Sequence, residues 1–162
     1  MKITSRLTRR EARKTVGVGA VVLALTGALV GAPATASADP DPTLLKLINQ
    51  QRAQANPRCK ALNSNPQLQA AADRHAKDLA TNGWRNDHND SDGTLAEQRI
   101  DQAGYDWGSF GENQAQGTSA QGAVNGWMNS GSHKANMLDC TMTDAGTASS
   151  GSVYVAVFAH PL

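Results

Sequence analysis

The first 38 residues have the pattern of a secretory signal peptide. Six basic side chains precede position 15, residues 16–30 carry no charge, and Ala36-Ser37-Ala38 comes directly before Asp39. A basic region, an apolar region and an A-x-A cleavage site in this order are typical of export signals. The sequence therefore predicts a leader over residues 1–38, cleaved after Ala38, and one folded domain over residues 39–162.

The apolar run could instead be a membrane anchor, and the export route is open. The run is short for a bilayer crossing and contains Gly17, Gly19 and Gly27, which favours cleavage. Arg9-Arg10 also resembles part of a twin-arginine signal, so both that route and the general secretory route remain. Either route predicts a secreted or cell-envelope protein with no membrane span after cleavage.

The charge balance of the remaining chain excludes one class of partner. Beyond residue 38, acidic residues outnumber basic residues by 13 to 9, and the basic residues form no stripe. Nucleic-acid binding depends on a basic surface that neutralises phosphates. We therefore expect no nucleic-acid partner. We expect the protein to be a monomer. Its expected partner is an extracellular ligand or protein of unknown identity.

The chain has two cysteines, Cys59 and Cys140. An even number of cysteines in an exported chain predicts a disulfide. The alternative is a pair of metal ligands, but the paired C-x-x-C spacing of such sites is absent. The sequence therefore predicts a Cys59–Cys140 bridge that closes most of the domain into one loop.

The order of the secondary-structure signals predicts an α+β fold. Helix-forming patterns precede β-branched and aromatic segments, which favours helices packed around a small antiparallel sheet. The predicted helices run between Asp41-Pro42 and Asn56-Pro57, between Asn65-Pro66 and Gly83, from the capping box Thr94-Leu95-Ala96-Glu97 through Ala103, and from Ser119 to Met128. The predicted irregular segments are 105–117 and 130–140, the second with one helical turn, and the predicted hairpin joins strands 144–148 and 153–158.

Six blocks of sequence, in order, resemble the CAP superfamily of SCP-like extracellular domains, most closely its short bacterial members. They include the helix around Leu44–Arg52, the run Ala71–Ala80, the tripeptide Gly111-Glu112-Asn113 and the stretch Trp127–Leu138. The resemblance implies an α-β-α sandwich with a surface cleft lined by His88, His133 and Glu112. It also implies that Ser130 stands where eukaryotic relatives carry a second acid.

The implied cleft residues suggest a metal site. Two neutral imidazoles suit Zn²⁺ or another divalent cation and leave positions open for water. Glu112 would then contact one of these histidines and fix its tautomer. The alternative is a hydrogen-bonded His–Glu–His cluster that joins three loops without metal. Since two imidazoles are a small ligand set, we expect weak binding.

The other candidate residues favour structural roles. His75 lies on the apolar face of the second helix and is expected in the core or on the floor of the cleft, whereas His160 is expected in solvent. Trp107 and Phe110 could line the cleft, although packing is the usual role of such residues.

Three functions are compatible with the sequence. The main prediction is an extracellular binding or interaction module. The second is a metal-assisted hydrolase of a peptide or cell-wall component, with Glu112 as the candidate catalytic base. The third is a lipid or sterol carrier, which the resemblance allows.

Overall fold

The structure is a computed structural model that describes residues 2–4 and 41–162. The described residues form, in order, β1 (Lys2–Thr4), α1 (Pro42–Ala55), β2 (Asn63–Ser64), α2 (Pro66–Asn82), α3 (Ala96–Gln102), β3 (Trp107–Gln116), α4 (Ala120–Met128), α5 (Gly131–Leu138), β4 (Asp144–Ser150) and β5 (Val153–Pro161). The apolar part of the predicted leader and its cleavage site lie outside the described residues.

The strands form one sheet in the order β1-β3-β5-β4-β2. The pairs β1–β3, β3–β5 and β5–β4 are antiparallel, as predicted for the sheet as a whole. The short strand β2 was not predicted, and it pairs parallel to β4. Strand β5 is central, and seven consecutive residues of it, 153–159, are buried. Such a continuous apolar run is expected for a strand that is covered on both faces.

Two separate apolar cores show that the sheet is covered on both sides. Val153, Val155 and Val157 of β5 belong to a core with α2 and α3. Tyr154 and Phe158 point the other way, into a core with α1, α4 and α5. Alternate residues of a strand point to opposite faces, so β5 supplies both cores. The fold is the predicted α+β, α-β-α sandwich.

The first two helices begin and end where predicted because their caps are explicit in the sequence. The Asp41 carboxylate accepts a hydrogen bond from Leu44 N at 2.9 Å, and the Asn65 side chain accepts from Gln67 N at 2.9 Å. Each cap is followed by proline in the first helical turn, where a missing N–H costs nothing. Gly83 ends α2 with a φ of +98°, a conformation that favours glycine.

Three local predictions are wrong. Segment 105–117 is mostly the ten-residue strand β3 rather than an irregular loop, and most of 130–140 is the helix α5. The capping box of α3 lies one residue later than predicted, because Leu95 N donates to the side chain of Gln98. Thr94 instead accepts a hydrogen bond from Arg74. Strand β3 carries buried polar residues in place of an apolar alternation, which is why the pattern concealed it.

The predicted disulfide is present between Cys59 and Cys140, 81 positions apart. It joins the segment that follows α1 to the segment that follows α5. Cys59 is buried and Cys140 is exposed, so the bridge lies at the edge of the core that these helices share.

Removing this bridge should lower the free energy of unfolding by about 4 kcal/mol, since a cross-link over a loop of this length constrains the unfolded chain strongly. The double variant Cys59→Ser, Cys140→Ser tests this by urea denaturation. The wild-type protein in reductant should show the same loss. A variant that unfolds at the same urea concentration as the oxidised wild type would contradict the expected role.

Candidate functional site

A network of charged side chains, buried at Asp90, Arg99 and Glu112, crosses the domain between α2, α3 and β3. Arg74 contacts Asp90 at 2.8 Å, Asp90 contacts Arg99 at 3.0 Å, and Arg99 contacts Glu112 at 2.8 Å. The chain of contacts ends at His88, whose Nδ1 lies 2.9 Å from Glu112 Oε1. Positive and negative groups alternate, so each buried charge has a partner of opposite sign, as burial requires.

Arg99 is the centre of this network. Its side chain is 1% exposed. One terminal nitrogen donates to both carboxylate oxygens of Glu112, at 3.0 and 2.8 Å, and the other donates to Asp90 at 3.0 Å. Both nitrogens also donate to the backbone carbonyl of His88 at 3.2 Å. A rigid guanidinium fork can satisfy several acceptors at once in this way, so Arg99 fixes the positions of Glu112 and His88 together.

Glu112 is an ionised and fully engaged carboxylate. Burial alone would raise its pKa, but the hydrogen bond from His88 and the positive charges of Arg99 and His75 lower the pKa to about 2. Both oxygens already accept hydrogen bonds, Oε1 from His88 and Arg99, and Oε2 from Arg99. A carboxylate with this pKa and no free oxygen is a poor proton acceptor at neutral pH.

His88 is held by its backbone and by its ring. Its φ of +63° lies in the left-handed region, which is uncommon for a residue other than glycine. Arg99 holds its carbonyl and Glu112 holds Nδ1. Within the described part of the chain, Nε2 has no hydrogen-bond partner, and 19% of the side chain is exposed. Backbone strain that a surrounding network maintains is common at functional sites.

His133 lies in the first turn of α5, near enough to His88 for the charge of that residue to influence its pKa. Burial and the nearby charge of His88 lower the pKa of His133. Its backbone carbonyl accepts a hydrogen bond from Asn113 Nδ2 at 2.9 Å. Asn136 binds the Asn113 side chain at 3.0 Å and the Glu112 carbonyl at 3.3 Å. These amides tie α5 to β3 and thereby fix the backbone of His133.

A sequence profile of the CAP family, described as the cysteine-rich secretory protein family, matches residues 45–157. The chain belongs to the CAP family. The match covers both histidines, Glu112 and the two cysteines. No curated protein sequence matches the chain.

Solved structures with the same fold come from several bacteria. An extracellular protein containing an SCP domain from Bacillus anthracis str. Ames is 24% identical, with a TM-score of 0.68 over 73% of this chain and 39% of that chain. An outer surface protein from Borrelia burgdorferi is 24% identical, with a TM-score of 0.65 over 74% of this chain and 91% of that chain. A cysteine-rich secretory protein from Staphylococcus aureus is 17% identical, with a TM-score of 0.60 over 72% of this chain and 36% of that chain.

These coverages show that the chain spans about two fifths of the length of the Bacillus protein. The likeness therefore concerns the CAP domain and its fold. Within residues 2–4 and 41–162, no helix combines the length and apolar character that crossing a bilayer requires.

The structure refines the predicted cleft of this CAP domain. Glu112 was expected either to line the cleft or to contact one histidine; it is only 3% exposed, and it contacts His88 Nδ1 and Arg99. Ser130 begins α5 with its hydroxyl 3.4 Å from that of Ser132. Across the described residues, no three His, Cys, Asp or Glu side chains are grouped so that they could hold a metal ion. The candidate protein ligands are therefore the two imidazoles.

His75 is buried in the core of the CAP domain, where the sequence placed it. Its Nδ1 lies 2.7 Å from Asp90 Oδ1 and its Nε2 lies 2.7 Å from Gln114 Oε1. The Gln114 amide nitrogen donates to the carbonyl of Arg85, so the amide oxygen faces His75. Both ring nitrogens therefore lie within hydrogen-bond distance of oxygen atoms. Because both of its ring nitrogens are engaged, His75 links α2 to β3 and is not available to a metal.

The aromatic residues before Glu112 pack rather than line the site. Trp107 and Phe110 are 5% and 1% exposed, with their rings edge to face at 4.8 Å between centroids. Of the two expected roles, cleft lining and packing, these residues therefore have the packing role. His160 is exposed at the end of β5, as expected.

Sequence reasoning missed most of the buried network. Arg74, Asp90 and Arg99 were not singled out, yet they position Glu112 and His88. One signal was present, because Arg99 falls on the same helical face as the buried Ala96 and Ile100. A charged residue on an apolar helical face requires buried partners.

A cavity of about 520 Å³ lies beside His133 in the CAP domain. Its walls come from the segment after α2, the end of β3, α4 and the start of α5. The lining residues are Trp84, Asn86, Gln114, Ala115, Gln116, Gly117, Thr118, Gly122, Ala123, Gly126, Trp127 and His133. Of the predicted site residues, His133 is the one that reaches this space.

Proposed function

We propose that this protein acts outside the cytoplasm as a binding module and holds a divalent cation, Zn²⁺, between His88 and His133. The export pattern of residues 1–38 supports the location. The similar Bacillus protein is described as extracellular and the similar Borrelia protein as an outer surface protein. A disulfide is also typical of proteins in oxidising compartments.

The observation that carries the metal proposal is the fixed orientation of His88. The Glu112 carboxylate accepts a hydrogen bond from Nδ1, which leaves Nε2 as the free nitrogen. Metal-binding histidines almost always have their second nitrogen bound to a carboxylate, a carbonyl or water, because this fixes the tautomer and raises ligand basicity. Burial and the charge of His88 lower the pKa of His133, which favours the neutral ring that metal binding requires.

The same geometry argues against Glu112 as a catalytic base. Both of its oxygens are engaged and its pKa is lowered to about 2. A hydrolase that used a metal-bound water would need another proton acceptor beside His88 and His133. We therefore favour binding over hydrolysis.

Zinc titration calorimetry tests the metal proposal. The wild-type protein should bind one Zn²⁺, and His88→Ala and His133→Ala should each weaken the affinity by at least about tenfold, since each removes one of two protein ligands. His160→Ala is the matched control and should leave the affinity unchanged, because that imidazole is exposed at the end of β5. Mg²⁺ should bind poorly, since it prefers oxygen ligands.

Equal zinc heats in the wild type and both cleft variants would remove the metal proposal. Equal loss in all three histidine variants would indicate nonspecific surface binding. Thermal unfolding of each variant shows whether it is folded, so that a lost heat can be assigned to a lost ligand.

A further inference from the structure

We propose that the 520 Å³ cavity beside His133 is a binding site for a neutral carbohydrate, with one sugar ring stacked on Trp84. The inference rests on the proposed function, because it names the class of ligand that the extracellular binding module takes. It concerns a different set of side chains from the metal ligands, apart from His133, which lines the cavity.

The size and composition of the cavity suit a small polar ligand without charge. Its volume falls within the range of about 300–1,000 Å³ that small-molecule sites occupy. None of its lining residues is Asp, Glu, Lys or Arg. A charged ligand would leave water without gaining a partner of opposite sign, which disfavours it.

The free polar groups of the lining match the hydroxyl groups of a sugar. Within the described part of the chain, the side chains of Asn86, Gln116 and Thr118 and the ring of His133 have no hydrogen-bond partner. Together they supply both donors and acceptors, as hydroxyl groups require. Sites built to bind hydroxyl groups reject ligands that lack them, since their polar groups are then left unpaired.

Trp84 supplies an apolar surface for the sugar ring. It follows the end of α2 and is only partly buried against the core that α2 and α3 share with the sheet. Trp127, which lines the cavity from α4, is buried, and its indole nitrogen already donates to the carbonyl of Gln114 at 3.1 Å. Trp84 is therefore the indole that can meet a ligand, with an apolar face beside polar neighbours.

The main-chain groups of the cavity favour a sugar over a peptide. An extended peptide would bind by adding a strand to the edge of β3. At the cavity, however, the carbonyl of Gln114 accepts from Trp127 and the amide of Gly117 donates to Ser152 O at 2.9 Å. These two main-chain groups are therefore not free to pair with a peptide strand.

An apolar lipid chain is also disfavoured, because it would leave the four free polar side chains unsatisfied.

Calorimetry and tryptophan fluorescence with chitotriose, cellotriose and maltotriose test the proposal, with an acetylated alanine tripeptide amide as the competing ligand. At least one sugar should bind and shift the fluorescence, while the tripeptide should not bind. Trp84→Ala should weaken the Kd by at least tenfold, and Trp84→Phe should restore part of the loss. Gln116→Ala, at an exposed position that does not endanger folding, should also weaken binding several-fold.

The matched control is Gln121→Ala, since Gln121 is exposed on α4, pairs with Asn125 and does not line the cavity. It should leave the sugar Kd unchanged. All titrations are made in EDTA, so the outcome does not depend on zinc, and failure of the metal proposal leaves this test intact. The inference is overturned if no sugar binds at millimolar concentration, if the tripeptide binds instead, or if Gln116→Ala and Trp84→Ala both bind sugar like the wild type.

Discussion

Replacement of Arg99 by methionine should lower the free energy of unfolding by about 3–5 kcal/mol, the usual effect of removing one partner from a buried ionic network. The substitution keeps the length of the side chain but leaves Glu112 and Asp90, which are 3% and 4% exposed, without their shared cation. Urea denaturation followed by circular dichroism measures the loss. Where enough protein stays folded, zinc affinity should fall as well, since Arg99 also holds the His88 carbonyl.

Arg58→Met is the matched control for this experiment. Arg58 is exposed, and its substitution should change stability by less than about 0.5 kcal/mol. Arg99→Lys should recover only part of the stability, because its single ammonium nitrogen cannot bind Glu112 and Asp90 from two separate nitrogens as the guanidinium does. A loss below 1 kcal/mol in Arg99→Met, roughly the effect of one ordinary hydrogen bond, would contradict the central position of Arg99.

Gly146→Ala should be similarly damaging, with a loss of at least about 3 kcal/mol, at the upper end of what overpacking causes. Gly146 lies in β4, where α2 packs directly on the sheet. A methyl group there would fall 2.1–2.2 Å from backbone atoms of Leu68 and Gln69. Backbone cannot move aside as a side chain can, so the first turn of α2 would have to lift from the sheet. Thermal unfolding measures the effect.

Gly126→Ala tests the same substitution where space is open. Gly126 lies within α4, and nothing lies within 4 Å of the added carbon. Alanine should raise stability there by roughly 0.5–1 kcal/mol, because glycine is the poorer helix former. We therefore expect Gly146→Ala to lower the stability and Gly126→Ala to raise it. A Gly146→Ala variant as stable as the wild type would show that α2 does not pack as tightly as the structure indicates.

The sequence predicted the parts of the fold that are determined locally. Helices α1 and α2 were found because Asp41 and Asn65 cap them and proline follows each cap. Strand β5 was predicted because a short run of β-branched and aromatic residues is typical of a buried strand. Strand β3 was not found, because its buried Glu112, Asn113 and Gln114 are compatible with a sheet only through partners distant in the chain. Local patterns carry no information on such partners.

The candidate site was predicted from family resemblance rather than from spacing. His88 and His133 were proposed on that basis, and Glu112 was expected either to line the cleft or to contact a histidine; it is buried and contacts His88 Nδ1. The reason is Arg99, whose role depends on residues from α3, β3 and the segment before α3 meeting in three dimensions. The cavity beside Trp84 is likewise formed by four separate segments, and no single segment indicated it.

Long-range ¹H–¹⁵N NMR of the histidine rings during zinc titration tests the central claim most directly. The account predicts that His88 carries its hydrogen on Nδ1, as its contact with Glu112 requires, and that Zn²⁺ shifts the His88 Nε2 and a ring nitrogen of His133. His75, engaged on both sides, and His160, at the end of β5, should not shift. Zinc-induced shifts confined to His160, or a His88 ring with hydrogen on Nε2 alone, would contradict it.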